Sequence, residues 1–105
     1  MRKIAIICGG YSGEYEISIN SAKVVKKNLD STLYDSYLIV IKKGEWYHLT
    51  DDDRHIPVDK NDFSINVDGN KITFDAVFNA VHGIPGENGE ILGYFEMLNI
   101  PYTSS

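Results

Sequence analysis

The sequence has a single cysteine, Cys8, and this excludes an intramolecular disulfide. Cys8 ends an apolar run, which predicts a small buried hydrophobic side chain rather than a reactive thiol. No apolar stretch approaches the ~18 residues that a transmembrane helix needs, so we expect no membrane association. The pattern of a signal peptide is missing too, because two glycines and then acidic residues follow the run IAII. A reducing cytoplasm fits these features best.

Clustered basic residues are missing as well. The chain has 10 lysines and arginines against 15 aspartates and glutamates, and its formal net charge is −5. Without a basic patch we expect no nucleic-acid partner. The histidines, the cysteine and the carboxylates show no metal-ligand spacing, so we predict no metal site in this segment. The sequence has no internal repeat, and a length of 105 residues suits one domain.

Short apolar runs alternate with helical patterns along most of the chain. RKIAIIC, YLIVI and DAVFNAVHG each predict a strand that is buried on both faces. Apolar residues at helical spacing predict one helix from about Ile17 to Leu29 and another from about Gly89 to Leu98. Either Ser18 caps the first helix or Glu16 lies in its first turn. This alternation predicts an α/β fold with an open, mostly parallel sheet flanked by helices, and NIPYT begins a fourth strand.

The middle of the chain departs from this alternation. WYHLT predicts a short edge strand with Trp46 as a packing anchor, and DDDRHIPVDKND predicts an exposed irregular segment. FSINVDGNKITF consists of two alternating runs joined by the turn DGN at residues 68–70, which is a strong β-hairpin pattern. We therefore expect a β-hairpin inserted into the sheet. We also expect His48 and His55 to be exposed to solvent.

Ligand sites of open α/β sheets lie beyond the carboxyl ends of the strands. Two segments occupy that position here, Gly9–Ser18 and His82–Gly89. The first, CGGYSGEYEIS, is not a Walker P-loop because no lysine follows before Lys23. It matches a dinucleotide fingerprint weakly, since the glycine spacing differs and the next strand ends in two lysines. Alternatively, the glycines serve only the turn from strand to helix.

Acidic residues and a histidine give these two segments a distinct chemistry. A carboxylate such as Glu14 repels phosphate and attracts an ammonium group, although stabilisation by the helix dipole alone also explains it. Glu16 lies two residues further on, so at most one of the two contacts a ligand. His82 lies at a predicted strand end. In one interpretation its ring holds charge or moves a proton beside a reacting carboxyl group, and in the other it is only hydrogen-bonded at the strand end. Glu87 is placed to orient the His82 ring.

Four motifs in this order, GGYSGEYEIS, FDAVFNAV, HGIPGENG and LGYFEMLNIPYT, resemble the N-terminal domain of the D-alanine–D-alanine ligases of the ATP-grasp superfamily. The resemblance implies that residues 1–105 are the Rossmann-like, substrate-binding N-terminal domain of a larger enzyme. It implies that the central and C-terminal ATP-grasp domains, absent from this chain, bind ATP and Mg²⁺ or Mn²⁺. It also implies a cytoplasmic homodimer that activates one D-alanine with ATP and joins it to a second, giving the dipeptide used in peptidoglycan.

The same resemblance implies roles for individual residues. Glu14 would hold the ammonium group of the first D-alanine, and Ser18 would support the loop that carries Glu14. His82 would lie beside the reacting carboxyl group, and Glu87 would back up His82. The backbone of Gly9–Gly10 would shape the floor of the pocket. Glu14 and His82 are therefore the catalytic candidates.

Three positions depart from the family pattern, and other functions stay open. Asn88 replaces an acidic residue, Leu92 stands where glutamine is common, and Ser104 replaces a glycine. The family also contains ligases that join D-alanine to D-lactate or D-serine, and these residues do not decide between them. The alternatives are a stand-alone nucleotide- or flavin-binding α/β domain and a structural or partner-binding domain. As part of a ligase, the chain alone would be catalytically inactive.

Overall fold

The computed structural model of the chain describes residues 2–9, 15–42, 44–80 and 90–103. Within these ranges, seven strands form one sheet, and two helices pack against it. The strands are β1 (Arg2–Gly9), β2 (Tyr34–Lys42), β3 (Glu45–Leu49), β4 (His55–Asp59), β5 (Ser64–Val67), β6 (Asn70–Ile72) and β7 (Ala76–Asn79). The helices are α1 (Tyr15–Asn28) and α2 (Glu90–Met97).

The strands lie in the order β6-β5-β4-β3-β2-β1-β7. Strand β1 is parallel to both of its neighbours, β2 and β7. The pairs β2–β3, β3–β4, β4–β5 and β5–β6 are antiparallel. The prediction of an α/β fold is confirmed in this coarse form. The prediction that the sheet is mostly parallel was wrong. Strands β2 to β6 follow one another through short turns, and a short turn joins only antiparallel neighbours.

Helices were also expected to flank the sheet, and this expectation was wrong for most of it. Within the described residues, only the connection from β1 to its neighbour β2 contains a helix between adjacent strands. The single hairpin that was expected as an insertion is a four-stranded antiparallel extension, β3 to β6. Such a meander needs no crossover helix, because each strand returns directly beside the previous one.

Strand β4 shows why the extension was underestimated. It lies within the acidic stretch that was expected to be irregular. Ile56 and Val58 are half-buried, and the residues between and beside them are exposed, which is the alternation of a strand. Because β4 pairs with the outer side of β3, β3 is an interior strand and not the predicted edge strand.

Several local predictions are confirmed within the described ranges. The hairpin around residues 68–70 is formed by β5 and β6. Asp68 and Gly69 have positive φ angles of 53° and 84°, as a two-residue type I′ turn requires. Helices α1 and α2 match the two predicted helices to within two residues at each end. The segment NIPYT differs from the prediction, because Tyr102 makes a single parallel bridge to Val77 rather than a regular strand.

Side chains of β1 alternate between two hydrophobic cores. Ile6 and Cys8 pack with Ala22 of α1 on one face of the sheet. Ile7 packs with Phe95 of α2 in the core on the other face. All five side chains are fully buried, which confirms the prediction of a strand covered on both faces. Cys8 is the inert side chain that was expected, since burial raises the pKa of its thiol to about 12.

An aromatic cluster joins α2 to the antiparallel extension. Trp46 of β3 contacts Tyr94 of α2 edge-on, with ring centroids 5.3 Å apart. Phe63 contacts Phe95 of α2 in the same manner at 4.8 Å. Aromatic pairs of this kind contribute about 0.5–1.5 kcal/mol each beyond the burial of their surface. Trp46 is therefore the packing anchor that the sequence predicted.

Gly9 ends β1 in a conformation that favours glycine. Its φ angle is +91°, and a Cβ atom there would lie 2.7 Å from the carbonyl oxygen of Ile41. Gly69 has a similar φ angle of +84°, but a Cβ atom there would have no atom of the described residues within 4 Å. Comparison of the two positions therefore separates backbone strain from close packing.

Replacing Gly9 by alanine should destabilise the fold more than replacing Gly69. Gly69→Ala carries only the strain of positive φ, about 1–2 kcal/mol, whereas Gly9→Ala adds about 1–3 kcal/mol for the clash with Ile41. Urea denaturation of the two variants measures both losses in the free energy of unfolding. Equal losses would show that the close approach to Ile41 has no energetic consequence.

Candidate functional site

Strands β1 and β7 end side by side at one edge of the sheet. They are parallel neighbours with Ile7 opposite Asn79. The amide of Ala80 extends the pairing by donating a hydrogen bond to the carbonyl oxygen of Ile7 over 2.9 Å. Residues 10–14, which follow Gly9, and residues 81–89, which follow Ala80, lie outside the described residues, and we call them the first loop and the second loop because the sequence predicts loops there. Both loops therefore start from adjacent points at the carboxyl ends of parallel strands, where ligand sites of α/β sheets form.

The hydroxyl group of Ser18 links these two strand ends. The Ser18 side chain is fully buried. Its Oγ accepts a hydrogen bond from the amide of Gly9 over 2.9 Å and donates one to the carbonyl oxygen of Ala80 over 2.6 Å. A hydroxyl has one hydrogen to donate and lone pairs to accept, so it makes both bonds at once. We call Gly9, Ser18 and Ala80 the strand-end clip.

Helix α1 brings Ser18 to the strand ends. The helix begins at Tyr15 and has Glu16 in its first turn, so Ser18 lies one turn inside and does not cap it. Of the two alternatives for the start of this helix, the one with Glu16 in the first turn is confirmed. Ala22 lies four residues after Ser18 on the same face and is fully buried in the core against β1. This packing fixes the position of the helix and of the Ser18 hydroxyl.

The outer side of β7 is held by residues 101–103. The amide of Val77 donates to the carbonyl oxygen of Pro101 over 2.8 Å, and the amide of Thr103 donates to the carbonyl oxygen of Val77 over 3.0 Å. The amide of Asn79 donates to the Oγ1 atom of Thr103 over 3.0 Å. Strand β7 is therefore hydrogen-bonded on both sides up to the point where the second loop begins.

Two of the predicted site residues, Gly9 and Ser18, are brought together by the strand-end clip. Every buried side-chain nitrogen or oxygen within the described ranges has a hydrogen-bond partner, so the clip is a satisfied unit. The remaining candidates lie outside the described residues, and their roles stay predictions: Gly10, Glu14, His82 and Glu87.

A groove that the sequence did not indicate lies at the opposite end of α1 from Ser18. It has a volume of about 410 Å³ and runs between the last turns of α1, the first half of β2 and the end of β3. A neighbouring hollow of about 440 Å³ continues it past His48. Lys26 lies between the two, and its Nζ donates to the carbonyl oxygen of Ser36 over 2.6 Å. Lysines and aspartates both line the groove, so it favours no ligand charge of one sign.

His48 was expected to be exposed, and this was wrong. The side chain is half-buried on β3, and its Nδ1 lies 2.8 Å from the carbonyl oxygen of Leu38. A carbonyl only accepts, so Nδ1 carries the hydrogen of this bond. Burial lowers the pKa of His48, and the positive charge of Lys26 lowers it further, against opposing effects of the hydrogen bond to Leu38 and of Asp51. His55, by contrast, is exposed as predicted.

The described part of the chain has neither a metal-binding cluster nor a membrane-spanning helix. That part holds no group of three or more histidine, cysteine, aspartate or glutamate side chains that could bind a metal ion. Neither of its two helices is long and apolar enough to cross a membrane.

Comparison with known proteins identifies the family. The family model described as "D-ala D-ala ligase N-terminus" matches residues 3–105. The chain belongs to this family. The resemblance seen in the sequence motifs is thereby confirmed, and the match includes both loops that leave the strand-end clip.

Two curated relatives named D-alanine–D-alanine ligase show the extent of the similarity. The protein from Flavobacterium johnsoniae is 51% identical over 104 residues, and the protein from Christiangramia forsetii is 50% identical over 103 residues. The alignments cover 99% and 98% of this chain, respectively, and 32% of each relative. The chain therefore spans about a third of the length of these D-alanine–D-alanine ligases.

Solved structures share the fold. D-alanyl-alanine synthetase A from Vibrio cholerae matches with a TM-score of 0.80 and 31% identity, over 97% of this chain and 30% of that structure. The VanG D-Ala:D-Ser ligase from Enterococcus faecalis matches with a TM-score of 0.79 and 34% identity, over 96% of this chain and 35% of that structure. The mixed sheet with its antiparallel extension is therefore the fold of the ligase N-terminal domain.

Protonation of His48 should destabilise the fold at mildly acidic pH. Its pKa is lower in the folded chain than the ordinary value of 6.5, so below pH 6.5 the unfolded chain binds more protons. The free energy of unfolding should therefore decrease as the pH falls from 6.5 towards the pKa of the folded state. Urea denaturation at several pH values should show a shallower pH dependence for His48→Gln than for the wild type. His55→Gln is the control with an exposed ring, and an unchanged pH dependence in His48→Gln would contradict the prediction.

Proposed function

We propose that residues 1–105 form the N-terminal, substrate-binding domain of an ATP-dependent D-alanine–D-alanine ligase. The observation that carries this proposal is the match of the family model to residues 3–105. The strand-end clip supports it, because both motif-bearing loops start from adjacent points, as a shared substrate site requires. The stand-alone nucleotide- or flavin-binding domain and the purely structural domain have no comparable support.

The proposed reaction joins two amino acids through an activated carboxyl group. A carboxylate oxygen of the first D-alanine attacks the γ-phosphorus of ATP, which forms an acyl phosphate and releases ADP. The amine of the second D-alanine attacks the acyl carbon, loses a proton and expels inorganic phosphate. The peptide bond of D-alanyl-D-alanine forms in this second step, and the dipeptide serves peptidoglycan synthesis.

Glu14 and His82 carry the part of this chemistry that we assign to the chain. The Glu14 carboxylate pairs with the ammonium group of the first D-alanine. The His82 ring holds charge or moves a proton beside the carboxyl group that is activated, and Glu87 orients the ring. The backbone of Gly9–Gly10 shapes the pocket floor. Supporting these roles are the charge of Glu14, opposite to that of an ammonium group, and the common origin of both loops at the strand-end clip.

ATP and Mg²⁺ or Mn²⁺ are assigned to the rest of the full-length protein. Within the described ranges, no cluster of histidine, cysteine, aspartate or glutamate side chains could hold a metal ion. When bound elsewhere in the enzyme, the metal compensates the charge of the phosphate groups. We assign to this chain instead the loops that receive the amino acid.

D-alanine is the second substrate that the relatives favour. The relatives with 50% and 51% identity are named D-alanine–D-alanine ligase, whereas the D-Ala:D-Ser ligase matches at 34% identity. A preference for D-serine or D-lactate as the second substrate is the alternative, and an assay with each compound distinguishes the three.

The full-length protein is further proposed to be a cytoplasmic homodimer. Ile17 and Val24 lie seven residues apart on one face of α1 and are 60% and 58% exposed. Two large apolar side chains on one helical face provide surface for association. The lone buried cysteine suits a reducing compartment.

Neutralising either assigned side chain should impair the full-length ligase. Glu14→Gln removes the charge that binds the ammonium group, and His82→Gln removes the titratable ring. We expect each to lower kcat/KM for D-alanine by about 100-fold to 1,000-fold. The rate of phosphate release with ATP and D-alanine measures the effect.

Matched variants control for the loss of a carboxylate or an imidazole as such. Glu16→Gln alters an exposed carboxylate two residues from Glu14, and His55→Gln alters an exposed histidine in β4. Both controls should keep wild-type rates. Wild-type rates in Glu14→Gln and His82→Gln as well would contradict the assigned roles.

A further inference from the structure

One hydrogen bond of the regular parallel ladder is replaced at the strand-end clip. In a parallel pair, evenly spaced bonds join a residue of one strand to the two residues that flank its partner. The amide of Ala80 donates to the carbonyl oxygen of Ile7 in this pattern. The next bond would run from the amide of Gly9 to the carbonyl oxygen of Ala80. Both of these groups bond to the Oγ atom of Ser18 instead.

We propose that Ser18 is a wedge that holds the carboxyl ends of β1 and β7 apart and thereby sets the spacing between the two loops of the ligase site. The inference rests on the proposed function and extends it, because Ser18 acts on the second loop as well as on the loop that carries Glu14. Ser18 is a positioning residue. Its hydroxyl bonds to two backbone groups, and it acts on the substrate only through the loops.

Packing around Ser18 makes the wedge rigid. The side chain is fully buried, so bulk water does not compete for its two hydrogen bonds. Ala22 anchors α1 in the core against β1, and Thr103 holds β7 from its outer side. With helix and strand both fixed, the hydroxyl keeps the strand ends at one separation, because a direct bond between them is blocked.

Few residues separate the clip from the side chains assigned to the reaction. Glu14 is the fifth residue after Gly9, and His82 is the second residue after Ala80. A shift of either strand end therefore moves the carboxylate that binds the ammonium group relative to the ring beside the reacting carboxyl group. A displacement of about 1 Å between groups that must act together costs about 100-fold in rate.

Removing the hydroxyl should let the ladder close. In Ser18→Ala, the amide of Gly9 and the carbonyl of Ala80 lose their partner, and unpaired buried groups are unfavourable. A direct bond between them restores the pairing and draws the strand ends together. In the full-length enzyme we expect kcat/KM for D-alanine to fall about 100-fold, while KM for ATP stays unchanged. Initial rates of phosphate release, measured well below the melting temperature, give both values.

Ser18→Cys should increase the separation of the two strand ends, whereas Ser18→Ala should decrease it. If Ser18→Ala does not fold, Ser18→Cys alone tests the proposal. Thiol hydrogen bonds are longer than hydroxyl ones: the Sγ atom of Cys8 lies 3.6 Å from the carbonyl oxygen of Ile39 in this structure. The thiol therefore keeps the wedge but widens it. We expect kcat/KM for D-alanine to fall about 10-fold, less than in Ser18→Ala.

Ile65→Ala separates positioning from general loss of stability. Ile65 is buried in β5, four strands away from β1, so its truncation lowers the melting temperature without touching the clip. This control should keep wild-type kcat and KM at the assay temperature. Wild-type kinetics in the Ser18 variants would contradict the proposal that Ser18 sets the separation of the strand ends. Kinetic losses equal to those of Ile65→Ala would contradict it as well. A wild-type enzyme that forms no dipeptide from D-alanine would overturn the proposed function itself, and this extension with it.

Discussion

Strand β1 has a parallel neighbour on each side and a packed core on each face, and the other elements take their positions from it. Because both edges are occupied, β2 and β7 approach from opposite sides. Because both faces are apolar, residues of α1 and α2 pack on opposite faces of the sheet. The carboxyl end of β1 is then the place where α1 and β7 come within reach of the same residue, and Ser18 makes that connection.

The parts of the fold that were predictable depend on local patterns. The apolar run of β1 and the turn at Asp68 and Gly69 each need only a few neighbouring residues to be recognised. Strand β4 was missed because its alternation is short and surrounded by aspartates, and charge was taken as a mark of irregular structure. The direction of each pairing and the interior position of β3 depend on which strands become neighbours, and no local pattern encodes that.

The candidate site also has a part that the sequence predicted and a part that it did not. The residue types of the two loops, acidic in one and a histidine in the other, were visible in the sequence and led to the ligase family. The clip was not visible, because Ser18 bonds to residues 9 and 62 positions away in the chain. A serine in the first turns of a helix is usually read as a cap, and only the three-dimensional position of β7 shows its second partner. The burial of His48 was missed for the same reason, since β2 supplies the partner of its ring.

Residues 81–89 connect Ala80, which follows β7, to α2. Helix α2 is held by the aromatic cluster in which Trp46 of β3 contacts Tyr94. Trp46 is the single tryptophan of these 105 residues. The tryptophan fluorescence of the chain therefore comes from one indole placed at the boundary between α2 and the antiparallel extension. This fluorescence therefore reports on the contact that joins α2 to the antiparallel extension.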